Sequence, residues 1–225
     1  MVSRDIIKER IKYFHSILPD GVSLVAVSKF QPVEAIQFAY EAGQRMFGES
    51  RVQELLTKIP QLPQDIKWHF IGHLQTNKVK SIIGKTSLIE SVDSLRLLEI
   101  IDKESLKAGV VTDILLQVHV AAEETKFGFT PDELKSLYHE HSFADFPNVN
   151  ICGLMGMATN TDDEKRVRAD FAVIAALFRE VADLNPGLNN FKYISMGMSG
   201  DWQLAVDEGS NMVRIGTALF GQRNY

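Results

Sequence analysis

From Val22 onward the sequence repeats one unit eight times: a short apolar, β-branched run followed by a segment with helical periodicity. The strand-like runs are 22–28 (VSLVAVS), 45–49 (RMFGE), 67–72 (KWHFIG), 87–91 (SLIES), 112–120 (TDILLQVHV), 148–156 (NVNICGLMG), 191–197 (FKYISMG) and 211–216 (NMVRIG). They are apolar on nearly every residue, as in a parallel sheet buried on both faces. Eight strand–helix units satisfy a single (β/α)8 TIM-type barrel spanning 1–225, preceded by an extra N-terminal helix. An open doubly wound sheet is the competing layout. It usually has fewer strands or leaves polar edge strands, and no run here alternates cleanly enough to be one.

The intervening segments carry helix punctuation. Pro32 opens a helix with Val33, Ile36 and Tyr40 on one face, stopping near Gly43; Val52, Leu55, Leu56 and Ile59 mark another, ending at Pro60. A brief helix begins near Thr76, and Leu95, Leu98 and Ile101 form a stripe running to about Gly109. Thr130 with Glu133 makes a capping box with Pro131 at the first helical position. Thr161 with Glu164 predicts the start of a long helix striped by Val167, Phe171, Ile174, Phe178 and Val181 and ended by Pro186-Gly187. The segment GDWQLAVDEG is a short helix, and TALFG closes the pattern. Ahead of the repeat, Ile6, Ile7, Ile11, Phe14 and Leu18 give an amphipathic helix.

Composition removes several classes of function. The formal charge of −5 over 225 residues, with no basic run longer than two, argues against nucleic acid and an anionic membrane surface. The longest apolar stretch, 171–178, is far too short to span a membrane, and Asp5 and Glu9 count against a leader peptide. Cys152 is the single cysteine, so no intrachain disulfide or cysteine zinc site can form, and a cytoplasmic protein is expected.

In such a barrel the site lies at the carboxyl ends of the strands, with phosphate commonly held by the loops after strands seven and eight. Those loops read SMGMSGD, with Ser199 and Gly200, and RIGTALFG, with Gly216 and Thr217. Each supplies backbone N–H groups and a hydroxyl; either alone reads as a helix cap, and together they favour a phosphate. Lys29 ends strand one on the face of Val25 and Val27. It is either a solvated strand-end lysine or an amine withdrawn from water and able to form an imine. Arg214 shares a face with Met212 and Gly216 and needs an acceptor, either a buried carboxylate or the ring nitrogen of a heteroaromatic cofactor. The remaining candidates are weaker: His69 and His73 lack a third zinc ligand, His139 and His141 diverge on a helix, Cys152 reads as core, and Asn77 and Lys78 read as solvated loop.

The strings AVSKF (26–30), FGESRVQEL (47–55), WHFIGHLQTNK (68–78), SMGMSGD (195–201) and GSNMVRIGTALFG (209–221) resemble the YggS/PROSC family of pyridoxal-phosphate-binding proteins. The resemblance implies a barrel like the N-terminal domain of alanine racemase. It also implies that Lys29 carries pyridoxal 5′-phosphate as a Schiff base, with Ser199, Gly200, Gly216 and Thr217 around the phosphate and Arg214 near the pyridine nitrogen. Ser50 stands where the family usually has Asn, and Glu90 where it often has His.

Three functions are compatible with these residues. The leading one is a pyridoxal phosphate homeostasis protein that holds the cofactor, with apoenzymes as recipients and a monomeric state expected. The second is a weak amino-acid racemase. The third is a barrel binding another phosphorylated metabolite with Lys29 as counter-ion. An arginine at the pyridine nitrogen makes the ring a poor electron sink, and a chain ending at Tyr225 leaves no second domain to supply another acid/base group, so efficient catalysis is not expected.

Overall fold

Rolling a parallel sheet until its first strand meets its last removes every exposed edge, and this chain does so. The computed structural model describes residues 3–123, 127–140, 145–184 and 190–222. Its strands are β1 Ser23–Val27, β2 Met46–Glu49, β3 Lys67–Phe70, β4 Leu88–Val92, β5 Thr112–His119, β6 Val149–Met157, β7 Tyr193–Ser195 and β8 Met212–Ile215. They form a closed barrel in chain order, all parallel, and β1 pairs with β8 from Ser23↔Met212 to Ala26↔Ile215. The sequence-predicted barrel is therefore present, with most strands shorter by one to a few residues at their ends.

The helices among the described residues are α1 Arg4–Ile17, α2 Val33–Glu41, α3 Val52–Lys58, α4 Val79–Ile82, α5 Leu95–Ala108, α6 Pro131–Glu140, α7 Glu164–Leu184, α8 Trp202–Asp207 and α9 Thr217–Phe220. Local chemistry explains their limits. Ser3 caps α1 through the Ile6 N–H, and Ser94 caps α5 through Leu97 N–H. Gly109, at φ 67°, takes the left-handed turn that ends α5. The Thr130–Glu133 capping box forms reciprocally: Glu133 accepts from Thr130 N–H at 2.8 Å, and Thr130 Oγ1 accepts from Glu133 N–H at 3.2 Å.

Two local expectations need correction. The long helix starts at Glu164 rather than just after Thr161. Asp163 takes the position before it and accepts from Lys165 N–H at 3.0 Å, while Thr161 Oγ1 accepts from Asp163 N–H. A carboxylate one residue from the helix out-competes the more distant hydroxyl. On α1, Ile7, Ile11 and Phe14 are buried, whereas Ile6 is 42% exposed and Leu18 lies past the helix end. Pro186-Gly187 and His141 fall outside the described residues.

Two apolar layers result. Inside the barrel, Val25, Leu88, Leu115, Cys152, Met155 and Met212 form a compact cluster. Outside it, the other strand faces pack against the helices, with Ile36, Phe47, Leu98, Ile114, Phe171 and Val213 among the residues sealed between them. Cys152 is thus a small core residue, as its setting in an apolar strand predicts, and burial pushes its thiol up to about 12. The β5–β6 register shifts between Ile114 and Leu116, where β6 carries an extra residue at Gly153. A Cβ there would lie 1.9 Å from Tyr193 O, and φ is 150°, so glycine is required. No described helix is long and apolar enough to cross a membrane.

Candidate functional site

Lys29 occupies the turn immediately after β1 and is half-buried. Its neighbours are fixed. The Ser28 carbonyl accepts from Lys58 Nζ at 2.9 Å, and Ser28 Oγ donates to Glu49 Oε1 at 2.5 Å. Lys58 is itself buried and donates to Glu49 and Glu54 at 2.8 and 2.6 Å. On the other side, Phe30 N–H donates to Glu54, the Arg51 guanidinium covers the Phe30 ring at 4.5 Å, and Phe30 sits at φ 64°. A bulky residue in the left-handed region costs about 1–3 kcal/mol, which these contacts offset. The turn presenting Lys29 is therefore held by packing and ion pairs behind it.

The loops after β7 and β8 meet across the same end of the barrel. Gly197, at φ 95°, brings its backbone so close to α8 that a Cβ would lie 2.6 Å from Ala205 Cβ. Its carbonyl accepts from Arg214 N–H at 2.9 Å. Ser199 Oγ accepts from both Gly216 N–H and Ala218 N–H at 3.3 Å, which joins the two loops through one hydroxyl. Between them and Lys29 lies a cleft of about 230 Å³, lined by Lys29, Ser199, Gly200, Arg214, Gly216 and Thr217, with Val27, Ile71, Met155, Met157 and Met198 as its apolar wall. All six sequence-predicted site residues line this cleft. Larger grooves lie elsewhere; one of about 510 Å³ contains Ser50, Arg51, His73 and Lys78, so Ser50 lines a groove other than the cleft.

Arg214 forms the cleft floor and is 4% exposed. Its Nη1 donates to Ser195 O at 2.8 Å and Ser195 Oγ at 2.6 Å, and its Nη2 donates to Gly156 O at 2.9 Å. Ser195 Oγ donates in turn to Glu90 Oε2 at 2.6 Å. Glu90 Oε1 lies 2.6 Å from His69 Nδ1, and Glu90 Oε2 is 3.8 Å from Arg214 Nη1. Burial alone would push the Glu90 carboxyl up. The His69 hydrogen bond and charge, followed by Arg214 and Ser195, outweigh it and hold the group below the usual carboxylate range. Burial likewise lowers the proton affinity of Arg214, which Glu90 opposes.

The sequence left the partner of Arg214 open between a buried carboxylate and a ring nitrogen; a buried carboxylate is present as counter-charge, Glu90 at 3.8 Å, while the hydrogen bonds of the guanidinium go to Ser195 and Gly156 O. The available signal was a glutamate in the middle of SLIES, a run too apolar to leave a charge unpaired. His69 and His73 do not converge. His69 faces the lumen against Glu90, while His73 sits 2.8 Å from Asp93 and stacks on Phe127 with centroids 3.9 Å apart. No cluster of metal-binding side chains occurs among the described residues. Asn77 and Lys78 lie in a 3₁₀ turn away from the cleft.

The family described as alanine racemase, N-terminal domain, matches residues 2–224. A pyridoxal phosphate homeostasis protein of Aquifex aeolicus is 43% identical over 204 residues, covering 90% of this chain and 87% of the relative. One from Schizosaccharomyces pombe is 36% identical, covering 97% and 91%. Among solved structures, PipY of Synechococcus elongatus with PLP bound superposes with a TM-score of 0.86 at 38% identity, covering 96% of this chain and all of that one. Alanine racemase of Clostridium difficile shares the fold at a TM-score of 0.77 and 14% identity, this chain spanning 58% of its length. Barrel and relatives agree, and the chain belongs to the YggS/PROSC family of pyridoxal phosphate homeostasis proteins, within the alanine racemase N-terminal domain family.

Proposed function

We propose that this protein binds pyridoxal 5′-phosphate as a Schiff base on Lys29 and serves in intracellular homeostasis of the cofactor rather than as an efficient enzyme. The carrying observation is that the residues suited to the three reactive parts of the molecule line one cleft. Lys29 supplies the amine; its condensation with the aldehyde forms one C=N bond and releases one water. Ser199, Gly200, Gly216 and Thr217 supply hydroxyls and backbone N–H groups for the phosphate, and Arg214 supplies donors toward the ring nitrogen. The methionine and isoleucine wall suits the ring itself. A Cβ on Gly216 would press on Val27 at 3.3 Å, which puts that loop directly against the cleft wall.

The homeostasis reading follows from Arg214. A guanidinium donates hydrogen bonds and does not give up its proton, so the ring nitrogen it meets stays unprotonated. Such a ring withdraws electrons poorly, and the bound cofactor contributes little to carbanion chemistry. Holding the cofactor for delivery to apoenzymes suits that chemistry better than turnover.

Borohydride reduction of the loaded protein and mass analysis is expected to place the label on the peptide containing Lys29, with visible absorbance lost in Lys29→Ala; labelling at Lys78 overturns the assignment. Gly216→Val is expected to weaken pyridoxal phosphate much more than unphosphorylated pyridoxal, and equal losses contradict the phosphate role. A turnover near 10 s⁻¹, typical of enzymes, that vanishes in Lys29→Ala would replace homeostasis with catalysis.

A further inference from the structure

The floor of the cleft is the exposed end of a longer buried chain. Behind Arg214 lie Ser195 and Glu90, both fully buried, and behind those His69 at 4% exposure. These residues come from β8, β7, β4 and β3, so the chain crosses the barrel lumen. Its polarity is determined by counting hydrogens. Ser195 has one hydroxyl hydrogen and gives it to Glu90 at 2.6 Å, so its oxygen can only accept from Arg214 Nη1, also at 2.6 Å. An ionised Glu90 is acceptor-only, so His69 presents N–H at Nδ1.

A guanidinium in a barrel interior is costly unless a counter-charge accompanies it. Arg214 Nη1 is committed to Ser195 and Nη2 to Gly156 O, which fixes the plane of the group. Lys29 and Arg214 are the ionisable groups among the residues lining the cleft. From β3, β7 and β8 the groups facing Glu90 are His69, Ser195 and Arg214, and Asp201 adds negative charge near Arg214.

We propose that Glu90 is a positioning residue for the cofactor: its charge opposes that of Arg214 from beneath while Ser195 orients the guanidinium, so that the ring nitrogen meets a directed N–H donor backed by a buried counter-charge. This rests on the reading above, in which the ring nitrogen of pyridoxal phosphate points to Arg214. Glu90 reaches the cofactor through Ser195 and Arg214, and its charge acts on the whole cleft, including the Schiff base on Lys29. A protonated Schiff base is cationic and is favoured by a nearby anion.

The test is the absorbance titration of the loaded protein. Glu90→Gln keeps the size and the acceptor for Ser195 but removes the charge, and the midpoint for loss of the Schiff-base proton is expected to fall by roughly one pH unit, the scale on which a neighbouring unit charge shifts a titrating group. Glu90→Asp keeps the charge and is expected to titrate close to the parent, which a purely packing role for Glu90 does not predict. Ser195→Ala leaves the charge in place but removes one acceptor from Arg214. Its preference for pyridoxal phosphate over an analogue with C–H in place of the ring nitrogen is expected to drop about fivefold, the scale of one hydrogen bond. A midpoint unmoved by Glu90→Gln overturns the proposal; should that variant not fold, an unchanged preference in Ser195→Ala overturns it instead. A parent protein with no titrating band defeats the functional reading itself, a distinct outcome.

Discussion

Glu49 and Glu90 are the same side chain, each fully shielded from solvent, and they are pushed in opposite directions. Glu49 lies between the barrel and α3. Its Oε1 accepts from Ser28 and Lys58, while Oε2 has no hydrogen-bond partner among the described residues; burial dominates and its carboxyl is held above the usual range despite Lys58. Glu90 lies inside the lumen, both of its oxygens are engaged, and His69 and Arg214 bring its carboxyl below that range. Shielding from solvent therefore does not decide ionisation here. The completeness of compensation does, and it follows the division of labour: the outer cluster anchors the turn that presents Lys29, and the inner chain underlies the cleft.

The contrast can be broken most forcefully at the cations. Arg214→Met strands an ionised Glu90 in the lumen and is expected to cost about 3–5 kcal/mol, lowering the melting temperature by roughly 6–20 °C for a chain of this size. Lys58→Met is expected to cost less, about 1–3 kcal/mol by urea denaturation, because Glu49 is already disposed to take up a proton. Equal costs would mean that the two clusters do not differ in kind.

Acid titration sharpens the same point. Because its folded value is raised, Glu49 contributes stability below its ordinary value near 4.5 that is lost as pH rises through the folded value. Glu90, lowered, contributes stability above 4.5 that is lost as pH falls through its folded value. Measured against Glu49→Gln, the parent should thus weaken with rising pH; against Glu90→Gln it should weaken with falling pH. Each slope is limited to about 1.4 kcal/mol per pH unit. Slopes of the same sign would refute the assignment of one of the two carboxylates. The smallest expected effect is Ser28→Ala, about 1 kcal/mol in the same denaturation experiment, since it removes one hydrogen bond from a carboxylate that retains Lys58.

What the sequence discloses and what it conceals divide along sequence distance. The strands are legible because burial on both faces leaves them apolar throughout, and the α6 start is legible because Thr130 and Glu133 are three residues apart. Lys29, Ser199, Gly216 and Thr217 could be placed at one mouth because strand ends in a closed parallel barrel point the same way. The Glu90–Ser195–Arg214 chain was not legible. Its members lie more than a hundred residues from Glu90, and which lumenal residues meet depends on the stagger of the closed sheet. The β6 register shift at Gly153 was hidden for the same reason, since its cause is the neighbouring Tyr193 backbone.

The seam between β1 and β8 bears on the order of folding events. Ser23 finds Met212, and Val25 finds Arg214, only after almost the whole barrel sequence lies between them. Contacts of such long range are the slowest to form, because the entropy of closing the intervening chain must be overcome before they return any stability. Lys29 comes from one side of that seam and Arg214 and Gly216 from the other. A chain still emerging from the ribosome therefore exposes its lysine early yet has no cleft until strand eight arrives, so that possession of the site marks completion of the barrel.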